Sequence, residues 1–194
     1  MAFFRGPNIV TEDLFIQLDF TSPRCLNNGL TSVKNLADGG ETCTITNSGT
    51  DISIDTTTIG GGLKCLNWVG STAAYVDTPD TGNMALFSLE NWVYNVSGGN
   101  SRHSMFRNFW EIVGTSVQFW SYSFDNDYWR ASASNLVPYN EWTHIITTWD
   151  GTYVRHYING VLKYTQPTAS GGTSESMYHL AGYNGRNFKG KMAS

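Results

Sequence analysis

The sequence predicts an all-β protein, a sandwich of short antiparallel strands, and three observations carry that expectation. Gly supplies 20 of the 194 residues and aromatics 14%. That mixture suits strands joined by tight turns, because Gly and Asn tolerate positive φ while aromatic rings fit pleated, half-buried surfaces. Turn signals recur about every 8 to 12 residues, the spacing of a sandwich or jelly roll. No long window carries sustained three-four apolar spacing with caps, so any helix is short.

The elements follow in order. In "LFIQLDF", residues 14–20, Leu14, Ile16, Leu18 and Phe20 alternate with Phe15, Gln17 and Asp19, the period of a strand with one buried face. From 21 to 62 the chain is rich in Ser, Thr, Asn, Asp and Gly, broken by "TCTIT" and "DISID", which predicts long loops with short edge strands. "LKCLNWVGSTAAYVDTP" reads as strand, Gly turn and strand, and in "FSLENWVYNV" Phe87, Leu89 and Trp92 begin another strand. Then come "SMFRNFWEIVG", "SVQFWSYSF", "DYWRASAS", "NEWTHIITTWDGTYVRHYINGVLKY" and "MYHLAGYNG" leading to "FKGKMAS". With no interdomain linker and no repeat, residues 1–194 are expected to form a single domain.

Composition narrows the partners. Only 14% of residues are charged and the net charge is −4, which leaves neither the positive excess that nucleic acid demands nor a polybasic stretch for anionic lipid. The N-terminal "MAFFRGPNIVTEDLFIQLDF" shows no secretion signal, and nowhere do about 18 apolar residues run together, so no membrane insertion is expected. Three cysteines, Cys25, Cys43 and Cys65, are an odd set and do not form a disulfide framework. Reduced, partly buried thiols are expected over a Cys43–Cys65 bridge, with too few His nearby for zinc.

In residues 140–164, Trp142 and Trp149 bracket one strand, Asp150-Gly151 makes a turn, and Asn159-Gly160 makes the next. Both dipeptides tolerate the positive φ of tight hairpins. Here the chain resembles the laminin-G-like, concanavalin A-like jelly-roll domains: Trp142, His144, Ile145, Asp150, Gly151, Tyr157, Ile158, Asn159 and Gly160 fill that family's pattern in order. Trp68, "SLENWVY" with Trp92, and "LAGYNGRNFKGKM" resemble further landmarks, so the resemblance runs from about Leu63 onward. It implies two antiparallel sheets and core positions for Trp68, Trp92, Trp142 and Trp149. It also implies a final strand cut short at "KMAS", with an open edge to be covered by a neighbour. The opening "GPNIVTEDLFIQLDF" additionally resembles laminin-G-like proteins of tailed-phage virions.

The same jelly roll carries glycoside hydrolases, whose retaining members need two carboxylates about 5 to 5.5 Å apart. The sequence offers Glu90, Glu111 and Glu141 singly, and Asp125 with Asp127 in a turn-like context. No "GxSxG" elbow and no triad spacing among His103, His144, His156 and His179 appear, so no catalytic residue is assigned. His156 alternates in register with Val154 and Ile158 and reads as a half-buried structural histidine. "GGGLK" is a flexible connection rather than a phosphate loop.

Trp110, Trp120 and Trp129 remain without a family core position. They either fill the inner face of the second sheet or lie outward, where Gln118, Trp120 and Tyr122 share one strand face as a ladder for sugar rings or, in preference, for a protein partner, with Arg130 and Arg107 close in sequence. The expected function is a non-enzymatic structural subunit of a tailed-phage virion, in a capsid decoration, head fibre or tail. It would be made in the host cytoplasm, contact other virion proteins or copies of itself, and present a lectin-like surface to cell-surface glycans. The alternative is a carbohydrate-binding module of a larger secreted or surface protein, hence extracellular; a glycoside hydrolase ranks third. No cofactor is expected. The resemblance allows calcium, which family members often bind through loop carboxylates and carbonyls, and the sequence identifies no ligand set for it.

Overall fold

The computed structural model describes residues 14–26, 30–37, 39–46, 49–57, 63–70, 74–82, 84, 86–98, 102–106, 110–120, 129–131, 135–167, 178–183 and 186–193, without the side chains at 102, 104, 120, 129–131 and 183. Among these residues there is no helix. The strands begin with β1 (Ser32–Lys34), β2 (Thr42–Thr46), β3 (Ile52–Asp55), β4 (Cys65–Val69), β5 (Tyr75–Asp77) and β6 (Phe87–Asn95). They continue through β7 (Arg102–Phe106), β8 (Trp110–Val113), β9 (Ser116–Trp120), β10 (Trp129–Ala131), β11 (Trp142–Trp149) and β12 (Tyr153–Ile158). The last are β13 (Val161–Pro167), β14 (His179–Leu180), β15 (Gly182–Tyr183), β16 (Arg186–Asn187) and β17 (Lys189–Met192).

Two large antiparallel sheets make the sandwich. One has eight strands in the order β1-β2-β5-β14-β7-β8-β9-β10, the other seven in the order β13-β12-β11-β6-β17-β4-β3; β15 and β16 pair as a small hairpin. Alternation sorts side chains between core and solvent, since successive residues of a strand point to opposite faces. The seven-stranded sheet contributes Leu66, Trp68, Val93, Ile145, Trp149 and Val154 to the core, and the eight-stranded sheet Val76, Met105, Trp110, Ile112, Val117 and Phe119. Trp68 meets Phe20 and Phe188 edge-on, at centroid distances of 6.2 and 5.8 Å. Buried polar groups are tied into the fold. The Asn95 amide donates to the carbonyls of Gly114 and Val137, and its oxygen meets His103 Nδ1 at 3.1 Å.

The hairpins spelled in residues 140–164 form as read. β11 and β12 pair from Ile145↔Ile158 to Trp149↔Val154, and the turn residues Asn159 and Gly160 take φ of 50° and 77°, the left-handed pair that a tight hairpin demands. His156 is fully buried rather than half-buried, with Nδ1 2.8 Å from Thr147 Oγ1. In the Asp150 turn the carboxylate accepts the N–H groups of Thr152 and Tyr153 and pairs with the Arg155 guanidinium. The Arg155 bond, then the two N–H bonds, lower its pKa from 3.8 to about 2. A carboxylate depressed by folding adds stability above its unfolded value and loses it as pH falls through the folded one. Asp150 is therefore expected to titrate near pH 2 by NMR. Its contribution should be complete above about pH 4, vanish toward pH 2, and weaken with salt because the pair is exposed. A midpoint at the ordinary Asp value would refute the turn network.

Three expectations need correction. Residues 14–20 alternate as predicted, with Leu18 and Phe20 buried, yet they form no strand. Their backbone is met piecemeal: Gln17 N–H binds the Asn35 side chain, Gln17 C=O accepts from Leu36, and Phe20 N–H donates to Ala193. The final strand is not an exposed edge. β17 lies inside the seven-stranded sheet, paired to β4 and to β6, so its backbone groups already have partners. Trp142 does not share the core with Trp149; seven residues apart on one strand, they face opposite ways, and only Trp149 is buried. The cysteines are free, as expected, but fully rather than partly buried, with burial pushing each thiol up to about 11.

Candidate functional site

Trp110 leaves the expected partner surface. It opens β8 opposite Phe119 and is only 1% exposed, so the core reading holds for this residue and the surface reading does not. Trp120 and Trp129 stand opposite each other where β9 and β10 pair, and Arg130 stands opposite Phe119. Their side chains, and all of Tyr122 and Arg107, lie outside the described residues.

The described aromatic surface lies elsewhere, on the outer face of the seven-stranded sheet. In β6, residues 91, 93 and 95 are buried, which sends Ser88, Glu90, Trp92 and Tyr94 outward. Trp92 is 41% exposed, not a core residue. Its position was readable, because Phe87 and Leu89 share one parity along the strand and Trp92 has the other.

Trp92 is braced from one side. His144 of β11 stands directly opposite it in register, and the two rings stack with centroids 4.7 Å apart and planes 19° apart. His144 Nε2 lies 2.8 Å from Glu90 Oε1. Its backbone N–H donates to Asn159 Oδ1 at 2.9 Å, which ties the brace to the Asn-Gly turn. Beside this group Tyr94 meets Trp142 edge-on at 5.7 Å, and Lys191 sits over the Tyr94 ring at 5.3 Å while bonding Asp55 at 2.7 Å. The result is a fixed, partly exposed indole with hydrogen-bonding groups around it. Such a ring offers apolar contact to a flat partner at little cost in side-chain freedom.

Among the described residues the ion-paired carboxylates are engaged one at a time. Glu90 meets His144, Asp55 meets Lys191, and Asp150 meets Arg155. Glu111 is fully buried and accepts from Arg186 Nη1 at 2.8 Å. Among the described residues no group of three or more His, Cys, Asp or Glu is placed to hold a metal ion. Asp125 and Asp127 lie outside the described residues.

Comparison with known proteins identifies the family and the fold. Residues 70–194 match the family model of the Concanavalin A-like lectin/glucanases superfamily, of laminin-G type. The chain belongs to this superfamily. Among solved structures, this concanavalin A-like domain is similar to domain 4 of AbnA, a GH43 extracellular arabinanase from Geobacillus stearothermophilus, solved in complex with arabinotriose. The TM-score is 0.60 at 18% identity, over 93% of this chain and 89% of that one. It is also similar to the binding domain of botulinum neurotoxin serotype D, with a TM-score of 0.54 at 10% identity, over 90% of this chain and 49% of that one. Among curated proteins none is significantly similar to it in sequence.

Proposed function

We propose that this domain binds carbohydrate without cleaving it, holding sugar rings against the outer face of the seven-stranded sheet with Trp92 as the platform. The observation that carries the reading is the Trp92 indole, 41% exposed yet stacked on a histidine that a carboxylate anchors. With Tyr94 and Trp142 beside it on the same outer face, the indole belongs to an aromatic patch rimmed by polar groups, the kind of surface that marks an interaction site. The apolar face of a sugar ring fits it, and Glu90, Lys191 and Tyr94 supply acceptors and donors for hydroxyls. Among the described residues each ion-paired carboxylate meets a cationic side chain or a His rather than a second carboxylate, which favours binding over hydrolysis, since a glycosidase holds two across the scissile bond.

The carbohydrate-binding module was the second of the sequence readings, and it now leads. The virion reading draws nothing from a domain of an arabinanase and a toxin's binding domain. A module of this kind would work outside the cell, where polysaccharide is met. The arabinotriose bound by the arabinanase domain makes arabino-oligosaccharides the first probe.

Calorimetry and binding to insoluble polysaccharides test the proposal. The parent should bind at least one member of a plant and bacterial glycan panel, release no reducing ends from it, and lose roughly tenfold or more in affinity with Trp92→Ala. A loss of that size corresponds to about 1.4 kcal/mol, within the range of an aromatic contact. Parent-like binding by a folded Trp92→Ala protein would remove Trp92 from the site.

A further inference from the structure

The outer face of the eight-stranded sheet holds a second cluster of rings and polar groups that the Trp92 site does not use. Burial of Val76 and Leu180 sends their neighbours Tyr75, Asp77 and His179 to the outside of β5 and β14. His179 stands opposite Asp77 in register, with Nε2 3.3 Å from the carboxylate. The Tyr75 ring lies 4.3 Å from the His179 ring at 34°, and Tyr178 meets His179 edge-on at 4.4 Å. On β2, Thr44 and Thr46 stand opposite Asp77 and Tyr75. The Asp77 side chain is 54% exposed and that of His179 only 17%, so the imidazole is clamped while the carboxylate faces solvent.

We infer that Tyr75, Asp77, Tyr178 and His179 form a second carbohydrate subsite, so that one domain holds two glycan chains at once. The inference rests on the carbohydrate reading above and adds a separate site to it. Three rings give apolar contact, the carboxylate accepts from hydroxyls, and the threonines both donate and accept. The six residues include no Lys or Arg, and an exposed carboxylate repels anions. The ligand that fits is therefore neutral, rich in hydroxyls, and free of phosphate, sulfate or uronate. The two sites lie on opposite outer faces of a sandwich whose sheets are themselves about 10 Å apart, so one short oligosaccharide cannot reach both. A polysaccharide would meet the domain as a cross-link. Linked weak sites raise apparent affinity for a polymer, by roughly 10²-fold or more where the geometry allows both to engage.

The test uses the parent chain with Trp92→Ala, Asp77→Ala, Tyr75→Ser and the Trp92→Ala/Asp77→Ala pair, each checked for folding by circular dichroism. Arabinotriose, xylotriose and cellotriose are titrated by calorimetry, and the matching soluble polymers are followed by turbidity. The expected result is two sites per chain in the parent, one in each single variant and none in the pair, with polymer cross-linked by the parent alone. Asp77 is exposed, so its replacement leaves the fold intact and reads the subsite directly. A single site that disappears with Trp92→Ala and ignores Asp77→Ala and Tyr75→Ser overturns the second subsite while leaving the first. Absence of binding by every form to every sugar and polymer removes the carbohydrate reading itself, and this subsite with it.

Discussion

Replacing Gly190 with alanine is expected to destabilise the domain by roughly 3–6 kcal/mol, from backbone strain and overpacking together. Gly190 sits inside β17 with φ of 146°, a conformation L side chains rarely adopt. A Cβ there would lie 2.2 Å from the Tyr94 carbonyl oxygen and 3.2 Å from the Phe188 ring. Neither neighbour can yield: one is the backbone of β6, the other a fully buried ring. Because domains of this kind are stable by only about 5–15 kcal/mol, most of the margin would go. The matched control is Gly160→Ala in the exposed hairpin turn, where φ is 77° and no atom lies within 4 Å of the added carbon, so the cost is only about 1–2 kcal/mol. Urea unfolding separates the two; equal midpoints would show that β17 does not run between β4 and β6.

Trp149→Ala is expected to cost about 3–5 kcal/mol, the usual penalty for emptying a large buried aromatic site. Trp149 is 2% exposed and stands between Phe87 of β6 and Val154 of β12, so its removal leaves a cavity lined by strands that cannot close in. Trp142→Ala, on the same strand and of the same size, should cost only about 1–2 kcal/mol, since its outer-face contact is the edge of Tyr94. The check is the shift of the denaturation midpoint at constant slope. Equal losses for the two tryptophans would contradict the assignment of opposite faces.

That contrast also marks what the sequence revealed. Period-two alternation located the hairpin of residues 140–164, its turns and the buried parity of β6, because each depends on neighbours along the chain. The faces of Trp92 and Trp142 were equally legible from parity, and the family pattern obscured them by suggesting that every matched Trp is core. The segment 14–20 misled in another way: alternation reports which side chains are buried, while a ladder also needs a partner strand, and Asn35 answers part of this one with a side-chain amide. The pairings that define the sites could not be read at all. Asp77 with His179 and Glu90 with His144 join residues far apart in sequence, and only the sheet order brings them together.

The central place of β17 has a consequence for how the molecule is made. Its residues bridge β4 and β6, strands laid down about half a chain or more earlier, so until residues 189–192 have been synthesised the seven-stranded sheet exists as two parts with facing, unpaired edges. Contacts between such distant residues form slowly, because a large loop must close before any hydrogen bond rewards it. A ribosome-bound chain stalled short of residue 189 would therefore display two sticky borders and invite association with other nascent chains. Insertion of β17 between β4 and β6 would act as the zip, joining the two parts of the sheet and removing both borders in one step.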